Sequence, residues 1–132
     1  MNSSLSKQIF ALFVLIGFFD FIANKFYFYW TVWWFDVMMH FIGGLLACML
    51  VVLFLNTYYK TKNLDKHKNK IIIILGVLII SVLWEIYELS IGSTSFADSD
   101  YMVDTISDFL MDFIGGFFGY LYSYKVLLKT NN

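Results

Sequence analysis

Charged residues are sparse in four mostly apolar stretches of this chain, at about 5–24, 33–55, 71–91 and 106–128, and denser in the segments between them. Each stretch holds about 20 mostly apolar residues, the length that carries an α-helix through a bilayer. The runs are too long and too continuously apolar for barrel strands, and in lipid a backbone must satisfy its own hydrogen bonds, so helices are expected. The pattern predicts an all-α polytopic membrane protein, residues 1–132 forming a single transmembrane domain, a four-transmembrane-helix bundle. The first run follows Lys7 and closes on Asp20 and Asn24 without a small-residue cleavage pattern. It reads as a retained span rather than a cleaved signal.

The polar residues that interrupt these runs are few and ordered. Asp36-Val37-Met38-Met39-His40-Phe41-Ile42-Gly43-Gly44 and Asp108-Phe109-Leu110-Met111-Asp112-Phe113-Ile114-Gly115-Gly116 are near copies, each opening a span. Glu85 and Glu88 lie near the end of the third span, and Asp20 near the end of the first. His40, Glu85 and Asp112 each fall roughly 10 Å inside one end of their span, at 1.5 Å per residue. Asp36/His40, Glu85/Glu88 and Asp104/Asp108/Asp112 are spaced three or four residues apart, so each set shares a helix face. The matching halves suggest two parallel helix-pair repeats about an axis along the membrane normal. The paired glycines suggest close helix contact, with backbone approach to a ligand as the alternative.

Lysine sets the expected orientation. Lys7, Lys60, Lys62, Lys66, Lys68, Lys70, Lys125 and Lys129 fall on one side and Lys25 alone on the other. The positive-inside rule then predicts a multi-pass cell-membrane protein with both termini cytoplasmic. Residues 25–35, packed with Phe, Tyr and Trp, read as an outer interfacial belt containing a short helix. Tyr58, Tyr59, Tyr122 and Tyr124 read as the inner belt, and His67 as a solvated loop residue.

Composition narrows the class further. Hydrophobic residues make up 60% of the chain and charged residues 14%, too much apolar surface for a water-soluble domain of 132 residues. A net charge of −1 gives no basis for binding nucleic acid. The single cysteine, Cys48, lies within a span and reads as a packing residue.

A charge at the centre of a span costs roughly 2.5–3.5 kcal/mol on insertion scales. Asp20, Asp36, Glu85, Glu88, Asp108 and Asp112 in one layer, with His40 and Lys25 as the nearby bases, therefore need compensation. Three readings stand open: a bound cation, a network of protonated acids, or a purely structural cluster. For the first, the expected ligands are Asp36, His40, Glu85, Asp108 and Asp112, around a divalent ion. Oxygen-rich ligation suits Mg, Mn, Ca or Fe, and one imidazole also permits Zn. Glu88 and Asp104 are then spare carboxylates available as general base.

The motifs Trp34-Phe35-Asp36-x3-His40-Phe41-x-Gly43-Gly44, Trp84-Glu85-x2-Glu88 and Asp104-Thr105-x2-Asp108-x3-Asp112-x2-Gly115 resemble the YjdF-like group of small bacterial and archaeal membrane proteins. More distantly they resemble the VanZ-like family, although this chain lacks the arginine that VanZ-like proteins carry before the last span. The resemblance spans about residues 33–119 and implies a role at the outer face of the envelope. Two function classes follow. One is a metal-dependent hydrolase or transferase acting on a lipid or lipid-linked headgroup, expected without any recognised hydrolase signature. The other is an ion-coupled small transporter or an accessory assembly protein, with a homodimer as one way to complete a path.

Overall fold

In the computed structural model the described residues are 3–59, 66–97 and 99–130; Lys60 and Lys62 of the basic link and Asp98 of the polar loop lie outside them. The described residues form α1 (Ser3–Phe26), α2 (Phe28–Thr31), α3 (Trp33–Tyr58), α4 (His67–Ile91) and α5 (Tyr101–Thr130), with no strand among them. No proline interrupts the runs, and the breaks have local causes. Tyr27 takes a left-handed conformation, φ 60°, and separates α1 from α2. Val32 is extended and separates α2 from α3. Gly92, at φ 76°, ends α4; its own N–H and that of Ser93 both bond the Glu88 carbonyl, closing off the last turn.

Among the described residues three helices are long and apolar enough to cross a membrane: Ser4–Phe26, Trp33–Tyr58 and His67–Ile91. The expected fourth span falls within α5, which is longer than any of these but is diluted by Asp104, Asp108, Asp112 and its tyrosines. The apolar outer surface is extensive and includes Phe10, Phe13, Phe18 and Phe21 of α1 and Ile79, Leu83 and Ile86 of α4. Such a surface is stable against lipid and not against water.

Helix α3 is the centre of the fold, contacting each of the other four helices, and its contact with α5 is the closest. The two run parallel. A Cβ added at Gly115 would strike the Phe41 carbonyl, one at Gly44 would strike the Asp112 carbonyl, and one at Gly119 would lie 2.6 Å from the Leu45 carbonyl. Glycine is needed here for close approach, as the sequence suggested. His40 and Asp112, matching positions of the two near copies and 72 residues apart, meet across this contact. The near copies thus stand level with each other.

Helix α4 runs antiparallel to both, with Gly76 against Val51 and Val77 against Gly116. Helix α1 packs on α3 through one buried face, Leu5, Ile9, Ile16 and Ala23. Beneath the polar layer the core is mostly apolar, with Ala47, Cys48, Met49, Val52, Leu55, Ile73 and Val77, and it also buries the hydroxyls of Ser81 and Ser123. Cys48 is fully buried there, in the packing role expected of it.

Candidate functional site

The acids converge at one end of the bundle because each helix presents them on its inner face. Asp36 lies in the first turn of α3, where the positive end of the helix dipole favours a carboxylate. His40 follows one turn later and is 2% exposed. Glu85 and Glu88 come from the end of α4, and Asp108 and Asp112 from α5; all four are buried.

The two ring nitrogens of His40 face different partners. Nδ1 lies 3.3 Å from Asp112 Oδ2. Nε2 lies 3.5 Å from Glu88 Oε2, 3.7 Å from Asp36 Oδ1 and 3.7 Å from Asp108 Oδ2. With Asp112 ionised, Nδ1–H donates to it; Nε2 is then an acceptor on the neutral ring and a donor on the imidazolium. Trp84, edge-on to the imidazole at 6.3 Å, packs the ring in place.

Nε2 makes no hydrogen bond, and neither do Asp36 Oδ1, Asp108 Oδ1 and Glu85 Oε1, all buried. Spacings of 3.5–3.7 Å exceed the 2.7–2.9 Å of a direct charge-assisted bond. They match two atoms ligating one ion: ligands about 2.1 Å from a tetrahedral centre stand about 3.4 Å apart. Two sets of ligand atoms lie within 4.8 Å of one another, Asp36/His40/Asp108 and His40/Glu85/Glu88, and both share His40.

The expected site residues sort as follows. Asp36, His40, Glu85 and Asp108 gather as anticipated from spacing. Asp112 is on the opposite side of the imidazole from the other acids, against Nδ1 rather than Nε2. Glu88 was expected to be a spare carboxylate, but it has the shortest contact to Nε2. Asp104 remains outside the cluster, exposed, one turn from Asp108 on α5.

Asp20 also departs from expectation. It belongs to a separate group, where it accepts from Tyr29 Oη at 2.9 Å, Tyr87 Oη at 2.8 Å and Asn24 Nδ2 at 3.1 Å. Burial, then the Asp20 charge, raises the Tyr29 phenol well above its ordinary range and keeps it a donor. This group ties α1, α2 and α4 together over the site. Tyr29→Phe should therefore lower stability by about 1.5 kcal/mol, as loss of a hydrogen bond to a charged group. Thermal unfolding in detergent measures it; a melt equal to wild type would show that α2 is held by its aromatic contacts alone.

Sequence reading overlooked three contributors. Thr105 Oγ1 donates to Glu85 Oε2 at 3.4 Å, and its place in the Asp-Thr-x2-Asp motif was the available signal. Tyr29 and Tyr87 are helix clips, although tyrosines near helix ends read equally well as interfacial anchors.

Above the cluster lies a polar cavity of about 580 Å³, bounded by α2, the start of α5 and residues 92–95. Asp36, Glu85, Glu88 and Asp108 line its inner part, and Asp100, Asp104, Trp30, Trp33 and Tyr101 also line it. A smaller apolar cavity of about 160 Å³ adjoins His40 and Asp112 on the side of α1.

No curated protein and no solved structure matches the chain. The family model described as "Predicted membrane protein (DUF2238)", the family of the YjdF-like group, matches residues 1–129. With nearly its whole length matched, and with apolar helices enclosing a buried His/Asp/Glu cluster, the chain belongs to this family of membrane proteins.

Proposed function

We propose that the protein is a four-span membrane protein whose His40 cluster binds one divalent cation at the outer face, for metal-dependent chemistry on a lipid or lipid-linked headgroup. The observation that carries the reading is His40 Nε2 itself, buried, without a hydrogen bond, and 3.5–3.7 Å from three carboxylate oxygens, an arrangement that a cation held by the neutral ring would satisfy. In this reading Asp36, Asp108 and Glu88, with Glu85 beside them, complete the ligand set. Asp112 orients His40. Asp104, exposed and lining the cavity, is placed to act as general base.

The ion would polarise a phosphoryl or carbonyl oxygen of a headgroup in the cavity, or activate water. One imidazole among oxygens suits Mn, Fe, Mg or Ca and admits Zn. Beneath the cluster α3 buries apolar side chains from Ala47 to Leu55, and the buried polar side chains there are the hydroxyls of Ser81 and Ser123 among the described residues, with no buried Asp, Glu, His or Lys, which favours a one-sided site over a carrier path. Metal analysis of purified protein should find about one equivalent in wild type and a large loss in His40→Ala. Equal metal content in both would remove the reading.

The same proposal places α1, α3, α4 and α5 across the cell membrane, with the termini and the basic link cytoplasmic. At 30 residues α5 reaches about 45 Å, ample for a hydrocarbon core of about 30 Å. Its Asp108 and Asp112 are buried in the cluster rather than facing lipid, which is where intramembrane acids belong. In a Cys48→Ala background, Ser99→Cys should label from outside intact cells and Lys68→Cys should not. Outside labelling of Lys68→Cys would invert the topology.

A further inference from the structure

The cavity above the cluster has a character that metal binding alone does not require. Six carboxylates line it, and no Lys, Arg or His is among its described lining residues. Two of those carboxylates, on Asp108 and Glu85, are at least nine-tenths buried and carry an oxygen without a hydrogen bond. A phosphate or carboxylate entering by itself would meet net repulsion throughout. A group of positive charge would meet attraction throughout, amplified by the low-dielectric walls.

The walls and the volume identify the kind of cation. Trp30, Trp33 and Tyr101 line the cavity, and indole faces bind ammonium groups through cation–π attraction. A divalent ion with six waters fills about 200 Å³ at the liquid volume of about 30 Å³ per water. The cavity holds about 580 Å³, room for an organic group as well.

We propose that this cavity binds an organic ammonium group, set between the exposed carboxylates of Asp100 and Asp104 and the aromatic rings of Trp30, Trp33 and Tyr101. The inference does not depend on the metal reading; it adds that an amine-bearing molecule occupies the space over His40. The amine can come from a lipid headgroup or from a soluble compound.

The test uses the full chain in nanodiscs of phosphatidylglycerol, titrated calorimetrically with tetramethylammonium chloride against tert-butanol at matched ionic strength. Tetramethylammonium should bind at least tenfold more tightly than the neutral alcohol. Asp104→Asn and Trp33→Ala should each weaken it about fivefold. Trp33 is 84% exposed, so its variants should melt like wild type, and Trp33→Phe provides a second, milder substitution. Titration of the wild-type chain in the presence of a chelator should keep the ammonium affinity while metal is stripped, which separates this proposal from the metal site. Nanodiscs in which part of the phosphatidylglycerol is replaced by phosphatidylcholine, or by neutral diacylglycerol as a charge-matched control, identify the source: weaker binding with phosphatidylcholine alone means that lipid headgroups compete, and equal binding in both points to a soluble ligand. Equal binding of tert-butanol, or wild-type affinity in either Asp104→Asn or Trp33→Ala, overturns the proposal.

Discussion

Replacing Gly115 with alanine is expected to cost about 3 kcal/mol of stability and to disable the His40 cluster as well. A single methyl group is enough because of what it meets. The new Cβ would strike the Phe41 carbonyl oxygen, with the Phe41 carbonyl carbon at 2.8 Å and the Leu45 nitrogen at 3.0 Å. All three are backbone atoms of α3, so no rotamer change relieves the clash. The helices must separate, and overpacking of this kind costs about 1–3 kcal/mol or more. Separation draws Asp108 and Asp112 of α5 away from His40 of α3, so bound metal should fall together with the melting temperature. Gly17 on α1 provides the control, because a Cβ added there meets nothing within 4 Å. Gly17→Ala should be neutral or stabilising by about 0.5–1 kcal/mol, the ordinary gain of alanine over glycine in a helix. Matching melts for the two variants would show that α3 and α5 are not locked through Gly115.

The same contact explains what could and could not be read from the chain. Apolar length and the absence of proline marked the helices, and α3 and α4 begin or end within a few residues of expectation. Helix α5 begins at Tyr101, before the expected span, because the Val103 and Asp104 amides bond the Asp100 carbonyl and start the helix there. Period-four spacing placed Asp36 with His40 and Asp108 with Asp112 on shared faces, so their meeting was legible. Which nitrogen of His40 each acid would face was not. That depends on the rotation of α5 about its own axis, fixed by the glycine contact with α3, and on Trp84 packing against the ring. Spacing likewise gave Glu85 and Glu88 one face but could not rank them by reach toward Nε2. Asp20 lies beside Tyr29, which also feels the Glu88 and Asp36 charges, but depth alone does not reveal which groups it bonds. Its partners, Tyr29 and Tyr87, come from α2 and from α4, and no local pattern joins them.

The division of labour around the imidazole predicts that His40→Ala and Asp112→Asn will behave differently toward metal. If Nε2 holds the ion, His40→Ala removes a ligand outright and leaves buried carboxylates facing one another. Breaking a buried charged group by deleting one partner costs about 3–5 kcal/mol. Chelator should then shift the melting temperature of wild type downward and leave His40→Ala unmoved. Asp112→Asn keeps the shape of the side chain and retains a carbonyl oxygen that accepts from Nδ1–H. It should still bind metal, with affinity reduced about 10–100-fold, the usual effect of removing a carboxylate that supports a ligating histidine. Added metal should restore its stability by mass action at higher concentration than wild type requires. Because ligands must shed their protons to bind, the metal-dependent increment in wild type should also shrink as pH falls. A protonated network makes the opposite forecast: chelator has no effect on wild type, and Asp112→Asn melts like wild type with or without it, since an amide replaces a neutral carboxyl at little cost. Melting curves of the three proteins, with and without chelator, therefore decide between an ion and a set of shared protons at His40.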